Sequence, residues 1–115
     1  MKVTRYTEAP EYAAPNHFDV HSVRLQGFAD GGPRAFWTGF SDIAPGGGAG
    51  PDASPLEKVY VVLSGRVSVT TPDGTVELGI LDSCCIPGGE RREMRNRSKE
   101  PASMLVVMPY PEAVA

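Results

Sequence analysis

Short apolar runs separated by glycine and proline recur along the chain, and their periodicity is that of β-strands. Residues 59–63 form the strongest run, with β-branched and aromatic side chains at successive positions. Residues 66–70 alternate strictly between polar and apolar, residues 71–74 have the composition of a hairpin turn, and residues 75–78 supply the returning strand. The pattern therefore predicts a tight hairpin that follows a strongly apolar strand.

Five further runs have strand character, at residues 20–25, 35–43, 83–86, 93–97 and 103–108. The glycine-rich stretch 45–51 is predicted to be a turn, and no segment has the period of an α-helix of three turns. Short strands joined by turns predict a sandwich or a barrel. The unbroken apolar run at 59–63 predicts a strand buried on both faces, one lining the barrel and the other meeting a second sheet or subunit.

Length and charge narrow the class of protein. The 115 residues, of which 41% are hydrophobic, fit one domain with one core. No stretch approaches the roughly 18 apolar residues of a membrane span. Residues 1–10 lack the apolar segment of a secretory signal, so we expect a cytoplasmic protein. A net charge of −3 argues against general binding to nucleic acid or to an anionic membrane.

The two cysteines, Cys84 and Cys85, are neighbours, and a disulfide between adjacent residues is strained and rare. Free thiols fit a reducing compartment. A Cys-Cys pair supplies at most half of a metal site. Each cysteine is therefore expected to behave as a small buried hydrophobe, with Cys84 on the same strand face as Ile86.

Two segments carry more information than composition does. Residues 45–65 are PGGGAGPDASPLEKVYVVLSG, and residues 78–96 are LGILDSCCIPGGERREMRN. Together they resemble the two motifs of the cupin family. In that family the first motif begins with PGG, continues with H-x-H and E, and ends on G. The second begins with G, passes through P-x-G and H, and ends on N.

The two motifs align with the family pattern in register. Gly65 ends the first motif, and four residues hold the framework positions of the second: Gly79, Pro87, Gly89 and Asn96. The resemblance implies an all-β fold, a double-stranded β-helix or jelly-roll cupin barrel with one open end. It implies a single domain over 1–115, with a barrel core at about 35–109 and N-terminal strands or an arm at 1–34. It also implies a homodimer.

The family's metal ligands are two histidines, a glutamate and a third histidine. The resemblance assigns those positions to Asp52, Ser54, Lys58 and Arg92. A divalent cation needs deprotonated donors, and two cationic side chains at these positions would repel it by on the order of several kcal/mol. Glu57 precedes the glutamate position by one residue, so a strand would point it to the opposite face. We therefore expect no metal cofactor.

Substitute ligands are not expected to restore the metal site. The remaining candidates are His17, His21, Cys84 and Cys85. The two histidines are four residues apart, which on a regular strand puts them on one face but about 13 Å apart. That separation is too large for one ion.

The same four positions are suited instead to an anion pocket with acid–base chemistry. Arg92 offers a planar fork of donors that matches a carboxylate. Burial and Arg92 would lower the pKa of Lys58, which could then act as a general acid or base, stabilise an enolate or form a Schiff base. Asp52 would exchange a proton at the pocket mouth.

Five further residues are predicted to bind the substrate. Ser54, Tyr60 and Trp37 would supply hydrogen bonds and a stacking wall, and Met94 would line the barrel on the same face as Arg92. Cys84 completes the set. The competing interpretation is structural: the charged residues Asp52, Lys58 and Arg92 pair with one another and fill a former metal cup with an ion cluster.

Three functions follow from these residues. The first is a metal-independent enzyme that binds a small acidic or carbonyl metabolite and catalyses isomerisation, epimerisation, cyclisation or a lyase step. The second is a non-catalytic protein that binds or senses such a metabolite. The third is a metal-dependent dioxygenase or decarboxylase with unusual ligands.

Overall fold

The fold is all-β, as predicted, and its strands close into a nearly complete barrel. The computed structural model describes residues 1–111, so residues 112–115 of the expected domain lie outside it. Its strands are β1 (Glu11–Tyr12), β2 (His17–Gln26), β3 (Phe36–Ala53), β4 (Lys58–Ser64), β5 (Val67–Thr71), β6 (Gly74–Leu78), β7 (Ser83–Ile86), β8 (Arg91–Arg95) and β9 (Ala102–Pro109). A 3-10 helix, Tyr6–Glu8, precedes them.

The strand order is β6-β5-β8-β3-β9-β4-β7, with β2 also paired to β3 and β1 to β2. The hairpin predicted at residues 71–74 is confirmed, because Thr71 pairs with Gly74 between β5 and β6. The N-terminal strands β1 and β2 pair onto β3 of the same chain. Within residues 1–111, no helix is long and apolar enough to cross a membrane.

The prediction of a turn at residues 45–51 is wrong, because this stretch lies inside β3. The first half of β3 pairs with β9, and the second half pairs with β8, with a register shift between Ala49 and Asp52. The glycines allow this bend: Gly50 has a φ of 84°, and a Cβ at Gly48 would collide with the carbonyl oxygen of Met94. Thus β3 passes from one wall of the barrel to the other without leaving the sheet.

Strand β4 is buried on one face and half-buried on the other. Lys58, Tyr60 and Val62 point inward, and Val59 and Val61 are partly covered. The predicted burial on both faces therefore holds fully for the inner face only. Glu57 is exposed, as expected from its place one residue before Lys58.

Asn96, the last residue of the second motif, holds the loop after β8 against β3. Its side chain is fully buried. Its amide nitrogen donates to the carbonyl oxygens of Ile43 at 3.1 Å and Glu100 at 2.7 Å. Its oxygen accepts from the backbone N–H of Ser98 at 3.0 Å. One side chain thus satisfies three backbone groups that water does not reach freely.

We expect Asn96→Ala to lower the free energy of unfolding by about 2–4 kcal/mol, because it leaves buried backbone groups without partners. Urea denaturation measures the change. Ser98→Ala is the matched control, with an expected loss of about 1 kcal/mol, since its hydroxyl contacts the same loop closer to solvent. Equal losses in the two variants would show that Asn96 has no special structural role.

Candidate functional site

A cavity of about 530 Å³ opens into the barrel between β3, β4, β8 and β9 and is flanked by the β1–β2 loop. Seven of the eight predicted site residues line it: Trp37, Asp52, Ser54, Lys58, Tyr60, Arg92 and Met94. Apolar side chains, among them Phe28, Leu56, Met104, Val106 and Met108, make up much of the remaining wall. The cavity therefore has a charged end within a largely apolar enclosure.

Arg92 is the best-anchored charged group in the cavity. It lies opposite Asp52 in the β3–β8 ladder, and its Nη1 is 3.1 Å from Oδ1 of Asp52. Its Nε donates to the Tyr60 hydroxyl at 2.7 Å. The second oxygen of Asp52 accepts from the Asn16 amide at 3.1 Å. With 6% of its surface exposed, Arg92 is fixed in position by partners on two strands.

Lys58 is buried beside this network but is not part of it. Only 4% of its surface is exposed. Among residues 1–111, no carboxylate or hydrogen-bond acceptor contacts its ammonium group. Burial lowers the pKa of Lys58, Arg92 lowers it further, and Asp52 opposes the shift. The predicted cluster of three paired charges is therefore only half formed: Asp52 pairs with Arg92, and Lys58 stays outside the pair.

Tyr60 accepts a hydrogen bond from Arg92 and retains its own hydroxyl proton. Burial raises the pKa of Tyr60, and the Arg92 cation beside it acts in the opposite direction. The phenol therefore stays neutral and can donate to a ligand oxygen. It lies on the same strand face as Lys58, because the two residues are two apart in β4.

His17 joins this site, although its sequence position alone does not predict it. Burial lowers the pKa of His17, and the charges of Arg92, Asp52 and Lys58 all reach it. Its Nδ1 lies 2.8 Å from the Pro15 carbonyl oxygen, which requires Nδ1 to carry the proton and leaves Nε2 as an acceptor. A neutral imidazole therefore lines the same cavity as Lys58.

The prediction that His17 and His21 share one strand face is wrong. A bulge lies between them, with Asp19 in the left-handed region at a φ of 53°. The register shift changes the alternation of β2, so His17 lines the cavity and His21 is exposed, where its Nε2 lies 2.9 Å from the Glu11 carboxylate. Aspartate tolerates this conformation, but nothing in the local sequence marks the bulge.

Three other predicted residues that line the cavity, Met94, Trp37 and Ser54, differ in their contacts. Met94 is fully buried on the same face as Arg92, and Trp37 packs edge-on against Tyr12 with 5.5 Å between ring centroids. The Ser54 hydroxyl accepts from the backbone N–H of Leu56 at 3.1 Å and so shapes the loop before β4.

Cys84 does not line the cavity. It is partly buried against the core on β7, on the same face as Ile86, as expected. Burial raises the pKa of the Cys84 thiol, which keeps it protonated and weakly nucleophilic. Its neighbour Cys85 points to the opposite face of β7 and is exposed, so the expectation of a buried side chain is wrong for that residue.

The donor set does not fit a metal ion. In the cupin family, which the two motifs resemble, four positions hold the metal ligands. In this chain those positions carry Asp52, Ser54, Lys58 and Arg92, and the one carboxylate among them is engaged by Arg92. Within the part of the chain that the structure describes, no group of three or more His, Cys, Asp or Glu side chains is arranged to hold an ion. Two buried cations at these positions repel any divalent metal.

Replacing Lys58 tests whether its buried charge destabilises the folded protein. Lys58→Met has similar volume and removes a buried, unpaired cation, so we expect it to raise the free energy of unfolding at pH 7 by about 1–2 kcal/mol. Because the pKa of Lys58 in the folded protein lies below its ordinary value of 10.5, the unfolded chain binds more protons between those two values.

Wild-type stability should therefore rise with pH across that interval, and the advantage of Lys58→Met should shrink as the pH approaches 10.5. Chemical denaturation at several pH values measures both effects. Lys99→Met, at an exposed lysine, is the control and should leave stability within about 0.5 kcal/mol of wild type at every pH. A destabilised Lys58→Met would indicate a pairing interaction for Lys58.

Comparison with known proteins shows which family the chain belongs to. The cupin-domain family model matches residues 39–108. A protein of Mycobacterium tuberculosis named beta-D-galactosidase is 43% identical over 113 residues, which is 98% of this chain and 97% of that protein.

Two solved structures share the fold. The polyketide cyclase RemF from Streptomyces resistomycificus superposes with a TM-score of 0.83 at 25% identity, over 95% of this chain and 79% of that one. A cupin-2 domain protein of Rhodospirillum rubrum superposes with a TM-score of 0.81 at 15% identity, over 98% and 77% of the two chains. The motifs, the barrel and these matches together show that the chain belongs to the cupin superfamily.

Proposed function

We propose that this cupin is a metal-independent enzyme that binds a small carbonyl-containing metabolite and moves a proton next to the carbonyl group. The reaction class includes isomerisation, epimerisation, cyclisation and lyase steps. The observation that carries the proposal is the buried Lys58, without an ion-pair partner among residues 1–111, in the same cavity as an immobilised Arg92. An amine with a lowered pKa reaches its neutral, proton-accepting form at lower pH than an exposed lysine does, which suits it to accept and return a proton.

Each group has a distinct role in this reaction. In its deprotonated form, which the lowered pKa makes more accessible, Lys58 takes the proton from the carbon beside the carbonyl and becomes an ammonium ion. The electron pair left on carbon delocalises onto the carbonyl oxygen, giving an enolate. Arg92, which uses two of its five N–H groups on Asp52 and Tyr60, has others left for that oxygen. The Tyr60 hydroxyl is a second donor to it.

The proton then returns to the same carbon, to another carbon or to an oxygen, depending on the substrate. His17 is neutral, with an acceptor nitrogen, and offers a second site for proton exchange in the cavity. The similarity to a polyketide cyclase supports this class, since a carbon nucleophile formed from an enolate closes rings as readily as it shifts double bonds. The apolar enclosure around the charged end favours proton transfer because it strengthens these electrostatic interactions.

Hydrogen–deuterium exchange tests this mechanism without knowledge of the natural substrate. Keto acids and aryl ketones that raise the melting temperature are incubated with the protein in D₂O, and loss of the proton beside the carbonyl is followed by NMR. Wild type should accelerate exchange, and Lys58→Met should slow it by about 100-fold or more. Lys99→Met, with an exposed lysine, should behave as wild type.

Undiminished exchange in Lys58→Met would reject the assigned base. Thermal stabilisation by several ligands with no exchange would instead favour a binding or sensing protein.

Hydrolysis of β-galactosides is a second candidate, favoured by the name of the 43% identical relative. Glycoside hydrolysis ordinarily uses two carboxyl groups around a positively charged transition state. Among the described residues that line the cavity, Asp52 is the only carboxylate. Glu11 lies in an adjoining cleft that shares Tyr12 and His17 with the cavity. Two nearby cations disfavour a positively charged transition state, so this site is poorly matched to hydrolysis.

A chromogenic assay separates the two candidates. We expect wild type to release little nitrophenol from 2-nitrophenyl β-D-galactoside, because only one carboxylate reaches the bond. Saturable release that Asp52→Asn or Glu11→Gln reduces by about 100-fold, while Lys58→Met retains it, would establish hydrolysis and displace the first proposal. Glu77→Gln, at an exposed glutamate, is the control for general effects of carboxylate removal.

A further inference from the structure

Arg24, on β2, presents a guanidinium group held by three aromatic rings at the wall of the cavity. Its central carbon lies 4.1 Å from the ring centroid of Phe28, 4.9 Å from that of Tyr12 and 5.7 Å from that of Trp37. The same four residues line the cavity that contains Lys58. Cation–π contacts of this kind position an arginine but leave its in-plane N–H donors unused.

No acceptor within residues 1–111 takes these donors. The Nε atom of Arg24 is buried and has no hydrogen-bond partner among the described residues. No carboxylate in that part of the chain forms an ion pair with Arg24. Arg95 also has a buried Nε, but the Glu93 carboxylate lies 3.4 Å from it. Arg24 is therefore a partly buried cation that lines the cavity and has no counter-ion among residues 1–111.

The rings around Arg24 are themselves held in place. The Tyr110 hydroxyl donates to the Pro33 carbonyl oxygen at 2.6 Å and accepts from the backbone N–H of Phe28 at 3.3 Å. Phe28 has a φ of 58°, a conformation that bulky residues adopt only where the surroundings impose it. The Tyr110 ring packs edge-on against Phe28 with centroids 5.0 Å apart. The three rings around Arg24, those of Tyr12, Phe28 and Trp37, form an aromatic cage that is in place before any ligand binds.

The register of the sheet separates Arg24 from the charged end of the cavity. Arg24 pairs with Gly39, Gly39 with Val106, and Val106 with Tyr60, so these residues form one row across four strands. Three strand spacings put the backbones of Arg24 and Tyr60 about 14 Å apart along the wall. Apolar side chains, among them Trp37 and Val106, lie between the two ends.

We propose that Arg24 binds a carboxylate of the substrate, and that the substrate therefore has a carbonyl group at the Lys58 end, an apolar body and a carboxylate at the Arg24 end. This inference deepens the proposed function, since it concerns the same cavity. The charges agree with it: Asp52 neutralises Arg92, which leaves Lys58 and Arg24 without carboxylate partners in the described chain. An anionic ligand compensates that excess, and the planar fork of arginine matches a carboxylate in two-point contact.

Calorimetric binding of three probes tests the assignment. The probes are 2-naphthoate, its uncharged analogue 2-naphthamide, and 2-naphthyl phosphate. Wild type should bind 2-naphthoate at least tenfold more tightly than the amide. Arg24→Gln should lose most of that preference, and Arg24→Lys, which keeps the charge without the fork, should recover part of it. Arg66→Gln, at an exposed arginine, is the control and should retain the full preference.

The outcomes are distinct from those of the exchange assay, because binding does not depend on turnover. Equal preference in wild type and Arg24→Gln, or no binding of 2-naphthoate to wild type, would overturn the proposal. A larger loss of preference in Lys58→Met than in Arg24→Gln would place the carboxylate at the Lys58 end and also overturn it. Tighter binding of the phosphate than of the carboxylate would overturn the carboxylate assignment. If Arg24→Gln is unstable, a folded Arg24→Lys variant that keeps part of the preference for 2-naphthoate over the amide would still support carboxylate binding at Arg24.

Discussion

The ion pair between Asp52 and Arg92 determines the electrostatics of this barrel. It is a cross-strand pair between β3 and β8, and both carboxylate oxygens are engaged, one by Arg92 and the other by Asn16. A carboxylate held in this way has little capacity to neutralise a second cation. Lys58 consequently experiences burial and the repulsion of Arg92 more strongly than the attraction of Asp52, and its pKa falls. The chemistry assigned to Lys58 depends on this asymmetry.

The geometry of β3 makes that ion pair possible. Because the glycines let β3 bend and approach β8 closely, Gly48 and Ala49 pair with Arg95 and Met94 before the register shifts and Asp52 meets Arg92. The glycine-rich segment is therefore a structural requirement of the site as well as of the barrel.

Period-two alternation was enough to predict which residues face the cavity within one strand. It placed Met94 on the same face as Arg92 and Glu57 on the face opposite Lys58, and the structure agrees for both. It could not predict His17, because a bulge at Asp19 changes the alternation within β2.

The cage around Arg24 was equally out of reach from local sequence. Its rings come from three separate segments, at Tyr12, Phe28 and Trp37, that only the folded sheet brings together. Cys84 illustrates the opposite failure: the right strand face was assigned, but the cavity does not extend to that part of β7.

Positive charge at the metal-ligand positions explains how one barrel can serve related chemistry by different means. A bound cation and a buried Arg–Lys pair both stabilise an oxygen that becomes negative during a reaction, as an enolate oxygen does. They act oppositely on a reaction whose transition state becomes positive, as in the cleavage of a glycosidic bond. The arrangement of Lys58, Arg92 and Arg24 around one apolar cavity therefore favours proton transfer in an anionic carbonyl compound over hydrolysis of a neutral galactoside.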